Sequence, residues 1–434
     1  MRRFLIFMYF STFLSVGAGA VLGAERFPPP EFVETHHQIP SPTLPGPRVD
    51  VYEYLDVVVL AAALCLSSYL VLKRRSRKWI LGLMLFSLGY FGFWRQGCVC
   101  PIGAIQNVTL SLFDSDYAIP LTALLFFLLP LLFTLFFGRT FCAAVCPLGA
   151  MQDLVALKPM KVARWLESGL RLLAWVYLGS AVLFAATGSA FVICRYDPFV
   201  AFFRFSGSVN MIVVGLCLLG VGVFIGRPYC RFLCPYGLIL RQISRISKWR
   251  VTITPDECIK CRLCEDSCPY GAIREPSGQW DREYYVKSKK RLGILICLVP
   301  VLVFLGGLGG WLLRGVTSEV NSRVRLADRI YMEETGQVED TIDASDAFRS
   351  TGVKAEVLYE ESAGIVDSFG RGGWFVGGFL GLVVGLKLIG LSVKRGRSDY
   401  EAERASCVAC GRCFEYCPRE QVRLKNLREA VGKA

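Results

Sequence analysis

Seven apolar runs punctuate the chain, at 54–72, 79–94, 119–137, 172–193, 209–225, 292–313 and 374–393. A hydrocarbon core roughly 30 Å thick needs about 20 such residues in an α-helix, so the pattern predicts seven transmembrane helices. The polar stretches between them alternate in character. Lys73, Arg74, Arg75, Arg77 and Lys78 follow the first run, and Arg139, Lys158, Lys161 and Arg164 follow the third. Arg227, Arg231, Arg241, Arg245, Lys248 and Arg250 follow the fifth, and Lys394, Arg395 and Arg397 the seventh. The intervening loops are poorer in Lys and Arg, which puts these four stretches and the C-terminus in the cytoplasm. At the start, Arg2 and Arg3, an apolar run and the small residues Ala18-Gly19-Ala20 read as a signal peptide or signal anchor, 1–24.

The predicted order continues with a proline-rich outer segment, 25–52, and a five-helix membrane domain, 53–250. Segment 251–291 is cytoplasmic and leads into a sixth helix, 292–313. An outer loop, 314–372, shows helical periodicity through Val320, Val324, Ala327 and Tyr331. A seventh helix, 373–394, and a cytoplasmic segment, 395–434, complete the chain.

The cysteines give this membrane pattern its chemistry. Cys258, Cys261, Cys264 and Cys268 are spaced C-x2-C-x2-C-x3-C and closed by Pro269; Cys407, Cys410, Cys413, Cys417 and Pro418 repeat the run. This is the bacterial ferredoxin spacing for [4Fe–4S] clusters, in which the fourth cysteine of each run ligates the other cluster. One predicted site is Cys258, Cys261, Cys264 and Cys417; the second is Cys407, Cys410, Cys413 and Cys268. A zinc site needs only two C-x2-C knuckles, and neither zinc nor disulfides explain four cysteines at this spacing twice. Two transmembrane runs lie between the halves, and an even number returns the chain to the same side. The expected fold is therefore an α-helical membrane protein with a cytoplasmic α+β two-cluster ferredoxin domain split by a transmembrane hairpin.

A second motif closes the third and fifth apolar runs: Cys142-x3-Cys146-Pro147 and Cys230-x3-Cys234-Pro235, each after a Gly-Arg pair. Spacing of i, i+4 sets both sulfurs of a pair on one helical face, so the two pairs can supply four thiolates to one inner cluster or metal. A variant, Cys98-Val-Cys100-Pro101, follows the second run, and Cys194 ends the fourth. For Cys98, Cys100 and Cys194 two readings stay open: an outer cluster or metal, or a disulfide from Cys98 or Cys100 to Cys194. Cys65, Cys217 and Cys297 stand alone in apolar runs and read as core packing.

Composition narrows the function. Of 434 residues 53% are hydrophobic, and the +13 net charge gathers at the ends of the apolar runs rather than in a nucleic-acid-binding patch. The only histidines are the adjacent His36 and His37, and no C-x-x-C-H occurs. Bis-histidine haem between membrane helices and c-type haem are thus both excluded within this chain. No nucleotide-binding loop or paired carboxylate–histidine constellation appears either, so a non-catalytic electron-transfer subunit is expected.

Membrane spans bearing C-x3-C-P motifs and followed by a two-cluster ferredoxin domain resemble the membrane polyferredoxins of periplasmic nitrate- and nitrous-oxide-reductase systems, the NapH and NosR type. The resemblance covers 54–274 and 407–418. It implies a multi-pass protein of the bacterial cytoplasmic membrane that transfers electrons between quinol or cytoplasmic donors and periplasmic acceptors. It also implies cluster ligands at the eight ferredoxin cysteines and redox roles for Cys142, Cys146, Cys230 and Cys234. The large outer flavin domain of NosR-type proteins is absent, so FMN enters only through a flavoprotein partner. A second implied role is redox sensing or metal-centre maturation.

Overall fold

A computed structural model describes residues 49–431 except 98–99, 158, 206–207, 254–257, 278–281 and 393–396. The signal segment, most of the proline-rich segment with His36 and His37, and Cys98 lie outside the described residues. Two units make up the chain: residues 1–53, of which only 49–53 are described, and residues 54–434, which hold everything discussed below.

The described chain is almost entirely helical. Helix α1 (Asp50–Tyr69) runs into a π-helical turn ending at Arg74, and α2 (Arg77–Ser87) into another over Leu88–Trp94. There follow α3 (Pro101–Phe113), α4 (Leu121–Phe137), α5 (Pro147–Val155), α6 (Arg164–Ala186), α7 (Val192–Tyr196) and α8 (Val200–Arg204). Next come α9 (Val209–Phe224), α10 (Pro228–Phe232), α11 (Pro235–Ile243), α12 (Leu263–Asp266) and the two-residue strand β1 (Ile273–Arg274). The C-terminal part comprises α13 (Arg282–Leu312), α14 (Arg314–Ser318), α15 (Ser322–Glu334), α16 (Asp343–Ser350), α17 (Ala355–Ser392), β2 (Glu401–Ala402), α18 (Arg412–Glu415) and α19 (Pro418–Val431).

Among the described residues, four helical stretches are long and apolar enough to cross a membrane: Asp50–Arg74, Trp165–Ala186, Lys289–Leu312 and Ala355–Ser392. Of the other predicted spans, α4 and α9 are apolar but only 17 and 16 residues long. The remaining one divides between α2 and its π-helical turn. Gly138, at φ +71°, ends α4 in a conformation that glycine adopts without steric cost. At the far end, α17 begins well before the predicted span; its 38 residues reach about 57 Å, so it extends beyond a bilayer core. The 314–372 segment is helical and closes around Val324, Ala327, Ile330 and Leu358, while Tyr331 stands at the surface. Cys65 and Cys297 are exposed and Cys217 half-buried, so core packing was the wrong expectation for them. A small apolar thiol suits a lipid-facing helix surface as well as it suits a core.

Helices α13 and α17 form a hairpin with backbones in direct contact. A methyl group on Gly310 would collide with the Gly373 carbonyl, one on Gly377 with the Gly306 carbonyl, and one on Gly381 with that of Leu302. Small residues four apart permit this approach where no hydrophobic force drives helices together within lipid. The hairpin carries the chain from β1 to β2, whose antiparallel pairing sets Ile273 opposite Ala402 and Arg274 opposite Glu401. Gly310→Val should cost on the order of 1–3 kcal/mol by overpacking, read as a lower midpoint for thermal loss of cluster absorbance. Gly309→Val is the control, since nothing lies within 4 Å of its added Cβ. Equal midpoints for the two variants would refute the close-packed hairpin.

Candidate metal centres

Strand pairing brings the two distant cysteine runs into one body. Cys258, Cys261, Cys264 and Cys417 line a single cavity of about 320 Å³, together with Ile253 and Tyr400. The other four also gather, with Cys413 in electrostatic reach of Cys407, Cys410 and Cys268. The two cradles share a backbone device. Lys260 and Arg262 in the first, and Ala409 and Gly411 in the second, all have positive φ, at 53°, 66°, 57° and 82°. Three of these are not glycine, a conformation that persists only where surrounding structure enforces it. Burial pushes the Cys407 thiol up to about 12 and the Cys264 thiol to about 11. Bare thiolates are therefore unfavourable there, whereas bound iron supplies the positive charge that stabilises them. Among the described residues no three His, Cys, Asp or Glu side chains converge as ligands of one ion. A cube holding its thiolates at separate corners fits these donors better than a single metal does.

The Cys-x3-Cys-Pro units form helix–break–helix corners. Proline disfavours the helical region for the residue before it and favours the first turn of a new helix. Cys146 and Cys234 are accordingly extended (ψ 115° and 113°) and cap α5 and α11. Corner and helix together aim all four sulfurs into one space. Cys142, Cys146, Cys230 and Cys234 line a cavity of about 640 Å³, and Cys234 lies in electrostatic reach of the other three. Gln152 fixes the geometry: its Oε1 accepts from the Tyr229 amide at 3.0 Å, and its Nε2 donates to Cys230 Sγ at 3.2 Å.

An adjoining cavity of about 570 Å³ is lined by Cys142, Cys230 and Cys234 and by five guanidinium groups, Arg139, Arg171, Arg227, Arg231 and Arg241. Arg171 and Arg231 share Glu167, and Arg227 pairs with Asp153 at 3.2 Å. Each of the five keeps a buried N–H without a partner among the described residues. Burial, with Arg171 and Arg139 alongside, lowers the Arg241 pKa to about 9. The lining is short of negative charge, and an anionic tetrathiolate centre beside it would redress that.

This site abuts the ferredoxin domain. Cys142, Cys268 and Cys407 pack around the buried cluster Tyr270, Ala272, Val408 and Cys410. Asp153 at the join is fully buried and meets Arg77 and Arg227 (3.2 Å each), Arg412 (3.9 Å) and the Tyr270 hydroxyl (2.5 Å). Burial alone would raise its pKa, but Arg227, Tyr270 and Arg77 outweigh this and hold the carboxyl far below the usual range. Arg77 also donates to the Cys410 carbonyl at 2.8 Å. The sequence reading missed Asp153 and Gln152, although the match between Gly103-Ala-Ile-Gln106 and Gly149-Ala-Met-Gln152 pointed to the glutamine.

Cys100 lines the same 640 Å³ cavity as the four inner cysteines, where the sequence pattern sets it on the opposite membrane face. Cys194, an exposed residue, lies in its electrostatic reach. Asp153→Asn should cost on the order of 3–5 kcal/mol, because it leaves Arg227 charged, buried and without a counter-charge. The measurement is the midpoint for denaturant-induced loss of cluster absorbance. A variant as stable as the parent to within about 1 kcal/mol would show that the junction does not hold the two parts together.

A family model described as "4Fe-4S binding domain" matches residues 119–166 and 208–254, the two Cys-x3-Cys-Pro units. A second model of the same description matches 251–274, the first ferredoxin run. The chain is 26% identical to the "Putative electron transport protein YccM" of Escherichia coli over 39% of this chain and 52% of the relative. Similarity to "Protein NirI" of Paracoccus denitrificans is 31% over 48% of this chain and 32% of the relative. For "Regulatory protein NosR" of Stutzerimonas stutzeri the figures are 26%, 45% and 29%. The chain thus spans about half of the first relative's length and under a third of the other two. No solved structure matches. With its cysteine motifs, membrane-length helices and matches to the 4Fe-4S binding domain models, the chain is similar to the membrane ferredoxin-type proteins of the NapH and NosR type.

Proposed function

We propose that this chain is an electron-transfer protein that links a cytoplasmic ferredoxin domain to a redox partner across the membrane. The observation that carries this reading is the packing of Cys142 beside Cys268, Cys407 and Cys410, in a cavity shared with Cys146, Cys230 and Cys234. Thiolate sites in succession are what a tunnelling path needs, since transfer falls steeply with distance. Iron–sulfur clusters supply one-electron uptake and release without bond making at the protein. Cys258, Cys261, Cys264 and Cys417 hold the first [4Fe–4S] cluster, and Cys407, Cys410, Cys413 and Cys268 the second. Cys142, Cys146, Cys230 and Cys234 hold a further centre, oriented by Gln152 and compensated electrostatically by the surrounding arginines. Seven membrane passages leave the ferredoxin halves and the C-terminus in the cytoplasm and the 314–372 loop outside. A flavoprotein or outer reductase is the partner class, with quinol as an alternative donor; the similarity to "Regulatory protein NosR" supports a second, regulatory reading, in which the clusters sense redox state.

Single alanine variants at Cys142, Cys146, Cys230 and Cys234 should each abolish reduction of an outer acceptor while the ferredoxin EPR signals persist. Near-normal transfer in all four would eliminate the shared centre, and signal loss without any transfer defect would favour sensing. Cys261→Ser should remove one ferredoxin cluster signal and leave the other at least in part. In a topology test, a reporter after Ala434 should be active only in the cytoplasm and one at Gln337 only outside. Finding both on one side would undo the split-domain arrangement.

A further inference from the structure

The chemistry of the inner corner recurs in two segments that lie outside the family matches at 119–166 and 208–254. Cys100-Pro-Ile-Gly-Ala-Ile-Gln106 repeats Cys146-Pro-Leu-Gly-Ala-Met-Gln152, identical at five of the seven positions. The likeness extends to hydrogen bonding. Gln152 Oε1 accepts from the amide of Tyr229, the residue before Cys230; Gln106 Oε1 accepts at 3.0 Å from the amide of Ile193, the residue before Cys194. Gln152 Nε2 then donates to Cys230 Sγ. The equivalent Gln106 Nε2 is fully buried and has no partner among the described residues.

The partner segments match as well. Cys194-Arg195-Tyr196-Asp197-Pro198-Phe199 has the order of Cys230-Arg231-Phe232-Leu233-Cys234-Pro235-Tyr236, one residue shorter, with Asp197 where Cys234 stands. Each of Cys100, Cys146, Cys234 and Asp197 immediately precedes a proline, and their ψ angles are 107°, 115°, 113° and 111°. Cys234 Sγ accepts from the Gly237 amide at 3.2 Å, and Asp197 Oδ1 from the Phe199 amide at 2.9 Å. Asp197 is 4% exposed, yet among the described residues no arginine or lysine pairs with it. It lines the 640 Å³ cavity with Cys100, and Cys100 lies in electrostatic reach of both Asp197 and Cys194. A carboxylate used only to cap Phe199 has no need of a thiol beside it in the same cavity.

We propose that Cys100, Cys194 and Asp197 form a second iron–sulfur site of mixed thiolate and carboxylate ligation, with Asp197 buried and Cys194 at its exposed edge, and with Gln106 as the donor that orients Cys194. It deepens the relay reading, since Cys100 and Asp197 line the same cavity as Cys142, Cys146, Cys230 and Cys234. An electron passes in from that inner centre and out to the redox partner, with no bond formed or broken and no proton moved.

The experiment compares iron and acid-labile sulfide per chain, and EPR after dithionite reduction, in full-length protein purified in detergent. Asparagine keeps an acceptor for the Phe199 amide but is a poor ligand, whereas cysteine restores the residue found in the sister site. Asp197→Asn should therefore lose about one cluster's iron and one EPR component, with the ferredoxin signals unchanged. Asp197→Cys should retain the iron and shift the g-values. An Asn variant with parental iron content and spectrum overturns the proposal. Should the Asn variant also lose the ferredoxin signals through misfolding, the Cys variant decides: an altered spectrum with full iron supports the site, and a parental spectrum overturns it. Cys146→Ala separates the two readings. If it loses no iron while Asp197→Asn does, the inner centre fails and this site stands.

Discussion

Asp153 is the contact on which the arrangement of centres depends. Its carboxylate is fully buried, with Arg77, Arg227, Arg412 and the Tyr270 hydroxyl arranged around it. These residues come from α2, the entry to α10, the entry to α18 and the loop before β1, so one anion draws together membrane and ferredoxin elements. Burying a charge is costly unless it is paired and hydrogen-bonded, and here the compensation comes from several sides. Arg227 takes part from a left-handed backbone conformation (φ 51°) while 1% exposed. An unfavourable conformation at a buried arginine indicates that position is being held for the sake of the contact.

The same arginine connects the junction to the thiolate corner. It donates to the Cys142 carbonyl and sits over the Tyr270 ring at 5.6 Å, so the Cys142 turn is fixed relative to the second ferredoxin cradle. Together with Arg139, Arg171, Arg231 and Arg241, Arg227 lines the adjoining cavity, where the counter-charges are the carboxylates of Glu167 and Asp153. Positive charge at low dielectric favours the more negative state of whatever lies beside it. A redox centre held by the inner corner, as proposed, would thus be biased toward its reduced state by these side chains rather than by an altered donor set.

Proline supplies the second constraint. Cys100, Cys146 and Cys234 are extended because a proline follows, and the helix that begins there carries the glutamine or glycine that contacts a sulfur. A corner made this way needs no long loop, which suits a site at the edge of a bilayer where free backbone groups would go unsatisfied. Two of the helices leading into such corners, α4 and α9, are also the short apolar ones, leaving room for the corner before the polar region begins.

By itself the sequence determined the chemistry and the class: apolar runs dictate membrane helices, and the ferredoxin spacing, written twice, dictates cluster-type thiolate sites. Those signals are local, because cluster ligation and helix hydrophobicity are set by residues within one turn or one run of each other. Which thiols share a cavity was not legible. Cys100 stands 42 residues before Cys142, on what the charge pattern reads as the other membrane face, yet both line one space. Only the folding of short corners back into the helix layer brings them together. Asp153 and Asp197 were invisible for a related reason. A carboxylate acquires its role from burial and from the charges packed around it, and both are properties of the assembled interior rather than of any stretch of chain.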